Sequence, residues 1–189
     1  MTDWVSHPQI CRAAELLKQQ AVVAYPTESV WGLGCDPQSA SAVEKILQLK
    51  KRNVDKGLIL IADSVERFKP FLAGLDEEHL RRFQAPMAKP TTWLVSNNGF
   101  APLWISGGRD TLALRVTEHP IAAALCKAFG GPLVSTSANP QGLSAAKSAV
   151  EVEGYFGDAI DMLAPGQVGS SANPSEIRHL ISGEIVRAG

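Results

Sequence analysis

The run "GLILIA", residues 57–62, most constrains how this chain can fold. It is apolar without alternation, the pattern of a strand covered on both faces, and such strands belong to sheets with helices packed on each side. The other segments agree. "AVVAY" (21–25), "TTWLVS", "TLALRV" (111–116), "PLVST" and the terminal "EIVRAG" read as strands. "PQICRAAELLKQQ" places Ile10, Ala13, Ala14 and Leu17 at helical spacing. "SAVEKILQLKK" opens with a capping box of Ser41 and Glu44, and "SAVEVEGYF" with Ser148 and Glu151. Asp63 and Glu66 predict another capped helix, a further helix falls near 76–83, and "HPIAAALCKAF" carries Pro120 in its first turn. Helices alternate with strands, so the expected fold is α/β: one domain over residues 1–189, with a twisted open mixed sheet and flanking helices. The recurrence of "SAN" at 137–139 and 171–173 is read as chance.

Several function classes drop out. The net charge is −1, so an RNA partner would need a local basic patch. Cys11, Cys35 and Cys126 form no CxxC pair, and this suggests neither a disulfide framework nor a zinc site. The N-terminus lacks the regions of a signal peptide and no apolar run spans a bilayer, so a cytoplasmic, membrane-free protein is expected. GxxxxGK[ST], GxSxG and HExxH are all missing. His7, His79, His119 and His179 are scattered and read as surface or packing residues.

Five stretches can carry chemistry. "YPTESVWGLG" follows a strand and offers Thr27 and two glycines, features that an ordinary turn also shows. "LKKRNVDKG" sets Lys50, Lys51, Arg52 and Lys56 around Asp55; these cations can hold phosphate or carboxylate, or simply complement a helix dipole. Arg115 lies inside an apolar strand and needs an anion there, either a protein carboxylate or a substrate. In "PLVSTSANPQG", Ser135, Thr136, Ser137 and Asn139 crowd a strand end with more polar groups than one turn requires. Ser175 in "NPSEI" and Arg187 in "IVRAG" read unaided as a cap and a solvated charge. Together these describe an anion-binding α/β enzyme without an obvious nucleophile, working by positioning and charge stabilisation.

In order and spacing, from about residue 10 to 189, "YPTESVWGLG", "KKRNVDKGLILI", "LALRVTEHP", "STSAN" and "NPSEI…IVRAG" resemble the YrdC-like family of threonylcarbamoyl-AMP synthases, in its short single-domain form. The resemblance implies a basic concave cavity and a nucleotidyltransferase reaction. L-threonine, bicarbonate (or CO2) and ATP give threonylcarbamoyl-AMP and pyrophosphate. Transfer proteins then carry the threonylcarbamoyl group to adenosine 37 of tRNAs reading ANN codons. It implies ATP-binding roles for Lys50, Arg52, Lys56, Arg115, Asn139 and Arg187, with Lys50, Arg52 and Lys56 as the charge-stabilising clamp. Thr27, Thr117, Ser137 and Ser175 would line the threonine side. No protein nucleophile is implied, and Mg2+ would arrive with ATP without a dedicated protein site.

Four positions, in three places, depart from the family pattern. "MAKPTTW" stands where many relatives have Pro-Gly-Pro-x-Thr, with Ala88 and Lys89 in place of Pro-Gly and Pro90 and Thr92 kept. Gln141 replaces a common serine and Asn53 a common proline. The alternative functions are a module binding double-stranded RNA or tRNA in the same cavity, and a related adenylate-forming domain acting on another substrate. Trp4, Trp31, Trp93 and Trp104 do not interleave with a basic run, which speaks against the RNA module.

Overall fold

The computed structural model describes residues 3–189. Helix α1 (Pro8–Lys18) leads into a hairpin of β1 (Val23–Pro26) and β2 (Trp31–Gly34). Helix α2 (Ala40–Lys50) follows, then a single 3-10 turn at Val54–Lys56 and β3 (Ile59–Ala62). Two short helices, α3 (Lys69–Leu72) and α4 (Glu77–Gln84), precede β4 (Thr91–Ser96). Helix α5 (Leu103–Ser106), β5 (Thr111–Val116), α6 (Pro120–Phe129) and β6 (Leu133–Ser137) complete the centre. The last elements are α7 (Ala149–Phe156), β7 (Met162–Leu163), β8 (Glu176–His179) and β9 (Ile185–Arg187).

The nine strands form one mixed open sheet in the order β7-β1-β2-β6-β3-β5-β4-β8-β9. Three pairs are parallel, β1 with β7, β3 with β5 and β4 with β8. Two apolar layers sandwich its centre. On one face α1 and α6 set Ile10, Leu17, Ile121 and Leu125 against Val23, Tyr25, Ile61 and Leu133. On the other, α2 sets Val43 and Ile46 against Ala24, Leu33, Leu60 and Leu114. Along β3, Leu60 and Ala62 face one layer while Ile59 and Ile61 face the other, as the unbroken run 57–62 demands.

Helix α7 starts at the expected box: the Glu151 amide donates to Ser148 Oγ at 3.2 Å and the Ser148 amide to Glu151 Oε2 at 3.0 Å. The box expected at Ser41 and Glu44 does not form. Ser39 is the cap, accepting from the Ala42 amide at 3.3 Å, and Ser41 lies in the first turn and donates to Gln20 Oε1 at 2.7 Å. The serine two residues upstream reaches the free amides first. The helix expected at Asp63 and Glu66 is also corrected: residues Val65–Phe68 make a 3-10 turn with no side-chain cap, continuing into the one-turn α3.

Candidate active site

Helices α1 and α6 cover only part of their sheet face. Beside them a row of register partners is left open, running Leu94–Ala113–Ile59–Ser135 across β4, β5, β3 and β6. All four residues floor a cavity of about 340 Å³. Its walls come from distant parts of the chain, and five cations converge there: Arg52, Lys56, Arg109, Arg115 and Arg187. Among the described residues no Asp or Glu side chain lines it, so a protein of net charge −1 carries a strongly positive hollow.

The positioning is local chemistry. At the β1–β2 turn, Thr27 Oγ1 donates to the Val30 carbonyl at 2.7 Å and fixes the hairpin beside the cavity. Gly34 lets that hairpin pack: a Cβ there would lie 2.6 Å from the Tyr25 ring and 2.7 Å from the Val134 carbonyl. Asn53 caps the 3-10 turn by accepting from the Asp55 amide at 3.0 Å. Arg52 Nη2 donates to the Gly57 carbonyl at 2.9 Å. Arg187 Nη2 donates to the Ser175 carbonyl at 2.7 Å, and the Ser175 and Thr92 hydroxyls share a bond of 2.8 Å.

Arg115 finds a protein carboxylate as its counter-ion. It lines the cavity, and its Nη2 lies 3.5 Å from Glu28 Oε2. Glu28 Oε1 in turn accepts from Thr117 Oγ1 at 2.7 Å and from the Glu118 amide at 3.3 Å. Burial pushes the Glu28 carboxyl up, but Arg115 and these donors together outweigh it and hold the group below the usual carboxylate range. Burial holds the Arg52 guanidinium below its ordinary value, and Arg109 adds like-charge repulsion; Arg187 is held down by burial and by Arg115. Among the described residues, Trp31 Nε1, Arg52 Nε and Arg115 Nε are buried donors without a protein acceptor, and all three residues line the cavity.

Of the ten residues expected at the site, Thr27, Arg52, Lys56, Arg115, Ser137, Ser175 and Arg187 line this cavity. Lys50, Thr117 and Asn139 stand behind it. The Lys50 ammonium is buried under the loop after β6, donating to the Ser137 carbonyl, to the Asn139 carbonyl at 2.8 Å and to Asn139 Oδ1 at 3.2 Å. The Asn139 amide closes the same loop on the Leu143 carbonyl at 2.7 Å. Thr117 is occupied with Glu28. Helical spacing explains the Lys50 result: it shares the inward face of α2 with Val43 and Ile46, so its charge points under the sheet-end loop while Arg52, beyond the helix end, reaches the cavity. Lys89 also faces elsewhere, lining a second cavity with Glu28 and Glu118.

Sequence reading missed Arg109, Ser29 and Thr111 in the lining. The visible signal for Arg109 was "SGGRD", two glycines delivering an arginine to the start of a strand. Strands β2, β7 and β8 were also missed, being only two to four residues long, with β2 rich in glycine and β8 in charge. Among the described residues no group of three or more His, Cys, Asp or Glu side chains could hold a metal ion, and no helix is long and apolar enough to cross a membrane.

Comparison with known proteins supplies the rest. A threonylcarbamoyl-AMP synthase of Cellvibrio japonicus is 50% identical over 187 residues, covering 99% of each chain. One of Halorhodospira halophila is 52% identical over 179 residues, covering 95% of this chain and 94% of its own. Among solved structures, P. abyssi Sua5 complexed with L-threonine superposes with a TM-score of 0.83 at 29% identity; the match covers 90% of this chain and 50% of that one. E. coli YciO, at 23% identity and a TM-score of 0.81, shares the fold, with 94% of this chain and 87% of that one covered. The family model for Sua5, YciO and YrdC, described as telomere recombination, matches residues 15–189. The chain belongs to the Sua5/YciO/YrdC family.

Proposed function

We propose that this chain condenses L-threonine, bicarbonate and ATP into threonylcarbamoyl-AMP and pyrophosphate, for threonylcarbamoyladenosine formation in tRNA. The observation that carries the reading is the convergence of the cationic donors of Arg52, Lys56, Arg109, Arg115 and Arg187 on one cavity whose lining, among the described residues, holds no carboxylate. Such donors ask for an acceptor-rich, anionic ligand, and about 340 Å³ is within the range of small-ligand pockets. The synthase relatives of similar length supply the identity of the reaction.

The chemistry needs no protein nucleophile. Threonine's neutral amine forms a bond to the carbon of bicarbonate, a carbon–oxygen bond breaks and water leaves with the amine proton, giving a carbamate. A carbamate oxygen forms a bond to the α-phosphorus, the bond from that phosphorus to the bridging oxygen breaks, and pyrophosphate leaves with the electron pair. The protein's part is to hold the anions in line and to offset charge as it develops. Arg52 and Lys56 take phosphate oxygens, Arg115 an anionic group at the reacting centre, and Arg187 the nucleotide. Thr27, Ser137 and Ser175 face threonine. Lys50, Asn139 and Thr117 act through others, the first two by shaping the loop that presents Ser137 and the third by fixing Glu28 against Arg115. The lining offers oxygens but no carboxylate, so magnesium enters on the phosphates and neutralises part of their charge. The adenylate then passes to transfer proteins in the cytoplasm.

The test is incubation with ATP, bicarbonate and each amino acid in turn, following pyrophosphate. Release that depends on threonine supports the reading; release with another amino acid, or with none, overturns it.

A further inference from the structure

We propose that Arg109 is the third cation of the phosphate clamp, and that Arg52, Lys56 and Arg109 together receive the leaving pyrophosphate. The proposal rests on the ATP-dependent reading above.

Arg109 reaches the cavity through a built contact. Gly107, with φ of +62°, sits so close to the Val54–Lys56 turn that a Cβ would lie 2.4 Å from the Val54 carbonyl oxygen. Only glycine permits that approach. It brings the turn between α5 and β5 flush against the loop that holds Arg52 and Lys56, and the Leu58 amide ties the same seam by donating to the Ile105 carbonyl at 2.9 Å. From there Arg109 Nε donates to the Asp55 carbonyl at 2.8 Å. The anchor uses only Nε. Among the described residues, neither Nη group has a protein hydrogen bond or an ion pair.

Arg52 is bound in the complementary manner, through Nη2 to the Gly57 carbonyl, leaving Nε without a partner. Two guanidinium groups thus hold one short loop through its Gly57 and Asp55 carbonyls, and both residues line a single hollow. Like charges held close without a carboxylate repel, and repulsion built into a rigid loop is relieved by an anion that bridges them. Each arginine offers a planar fork that matches phosphate oxygens two at a time.

Depth separates this group from Arg115, while Arg187, itself exposed, is anchored instead on the Ser175 carbonyl. Arg115 is buried, whereas Arg109 and Lys56 are exposed. The Arg52, Lys56 and Arg109 group therefore stands at the open end, where a product can depart into solvent. Arg115, with Ser137 and Ser175, stands at the inner part. A triphosphate laid along this gradient has its β and γ groups at the open end.

The decisive measurement is calorimetric binding of inorganic pyrophosphate to the full chain and to Arg109→Gln and Arg109→Lys. We expect roughly 10-fold or greater weakening for the glutamine variant, the loss of charge-assisted bonds. The lysine variant, which keeps the charge but not the fork, falls between. In turnover, the KM for ATP rises with the pyrophosphate dissociation constant, while the KM for threonine stays within about 2-fold. Thermal unfolding confirms that both variants are folded, and the lysine variant carries the test should the glutamine variant not fold. Pyrophosphate affinity within about 2-fold of the parent in the folded variants overturns the proposal. Binding that depends on Arg109 in a protein without threonine-dependent turnover supports the clamp and overturns the assigned reaction instead.

Discussion

The Lys50 ammonium lies beneath Asn139 and donates to both its carbonyl, at 2.8 Å, and its side-chain oxygen, at 3.2 Å. Ser137 Oγ donates to that same side-chain oxygen at 2.7 Å. One buried charge therefore sets the course of the loop that presents Ser137 to the cavity. Lys50→Met removes these bonds and leaves buried carbonyls unpaired. The expected result is a loss of kcat of about 10-fold or more, with a stability loss of about 1–3 kcal/mol. Steady-state kinetics with urea unfolding checks both.

The same residue gives a pH signature. Burial, with repulsion from Arg52 second, lowers the Lys50 pKa to about 8. The unfolded value is higher, so between about pH 8 and the ordinary lysine range the unfolded chain binds more protons, and this group's contribution makes stability rise with pH. Activity moves the other way, because deprotonation removes a charged donor from the Ser137 loop. A pH–rate profile should show kcat falling as pH rises through about 8, while the unfolding free energy does not fall with it. Parallel loss of both would contradict the role.

Glu28 shifts stability in the same direction, but in the acid range. Its carboxyl is held below the usual range, so the stability it contributes is complete above the unfolded carboxylate value and is lost as pH falls through the depressed folded value. Glu28→Gln keeps the bonds to Thr117 and Glu118 but leaves Arg115 without its counter-charge. Unfolding at neutral pH should show a loss of about 1–3 kcal/mol. The variant should also lose the part of the acid-side slope in stability that wild type shows.

The hairpin depends on Gly34. Gly34→Ala places a methyl 2.6 Å from the Tyr25 ring and 2.7 Å from the Val134 carbonyl, neither of which can withdraw from a buried sheet. The expected loss is about 1–3 kcal/mol, measured by denaturant unfolding. Ser148→Ala, by contrast, breaks a box whose two residues are not part of the cavity lining. It should cost about 1 kcal/mol and leave kcat and KM unchanged.

Sequence pattern read the central sheet well because its strands are long apolar runs with helices on both sides: 59–62, 91–96, 111–116 and 133–137 were all legible. It failed where tertiary contact, rather than local pattern, makes the element. Strand β2 pairs locally with β1, but its place in the sheet is also set by Gly32 and Leu33 pairing with Ser137 and Thr136, a partner more than a hundred positions away. The same limit applies to the site. Arg52, Lys56 and Arg115 sit in recognisable segments and line the cavity, but nothing local distinguishes Lys50 from Arg52, two positions apart. The difference is that α2 ends at Lys50, so one side chain follows the helix face and the other does not. Arg109 escaped because its approach depends on Gly107 meeting a loop fifty positions earlier.

The central claim is that scattered cations and hydroxyls meet in one cavity to join threonine to a nucleotide. The direct test is pyrophosphate release from ATP and bicarbonate with and without L-threonine, in wild type and in Arg52→Ala and Lys56→Ala variants shown to be folded. The account predicts threonine-dependent release in wild type and its near-complete loss in both variants. Undiminished release in the two variants would contradict it.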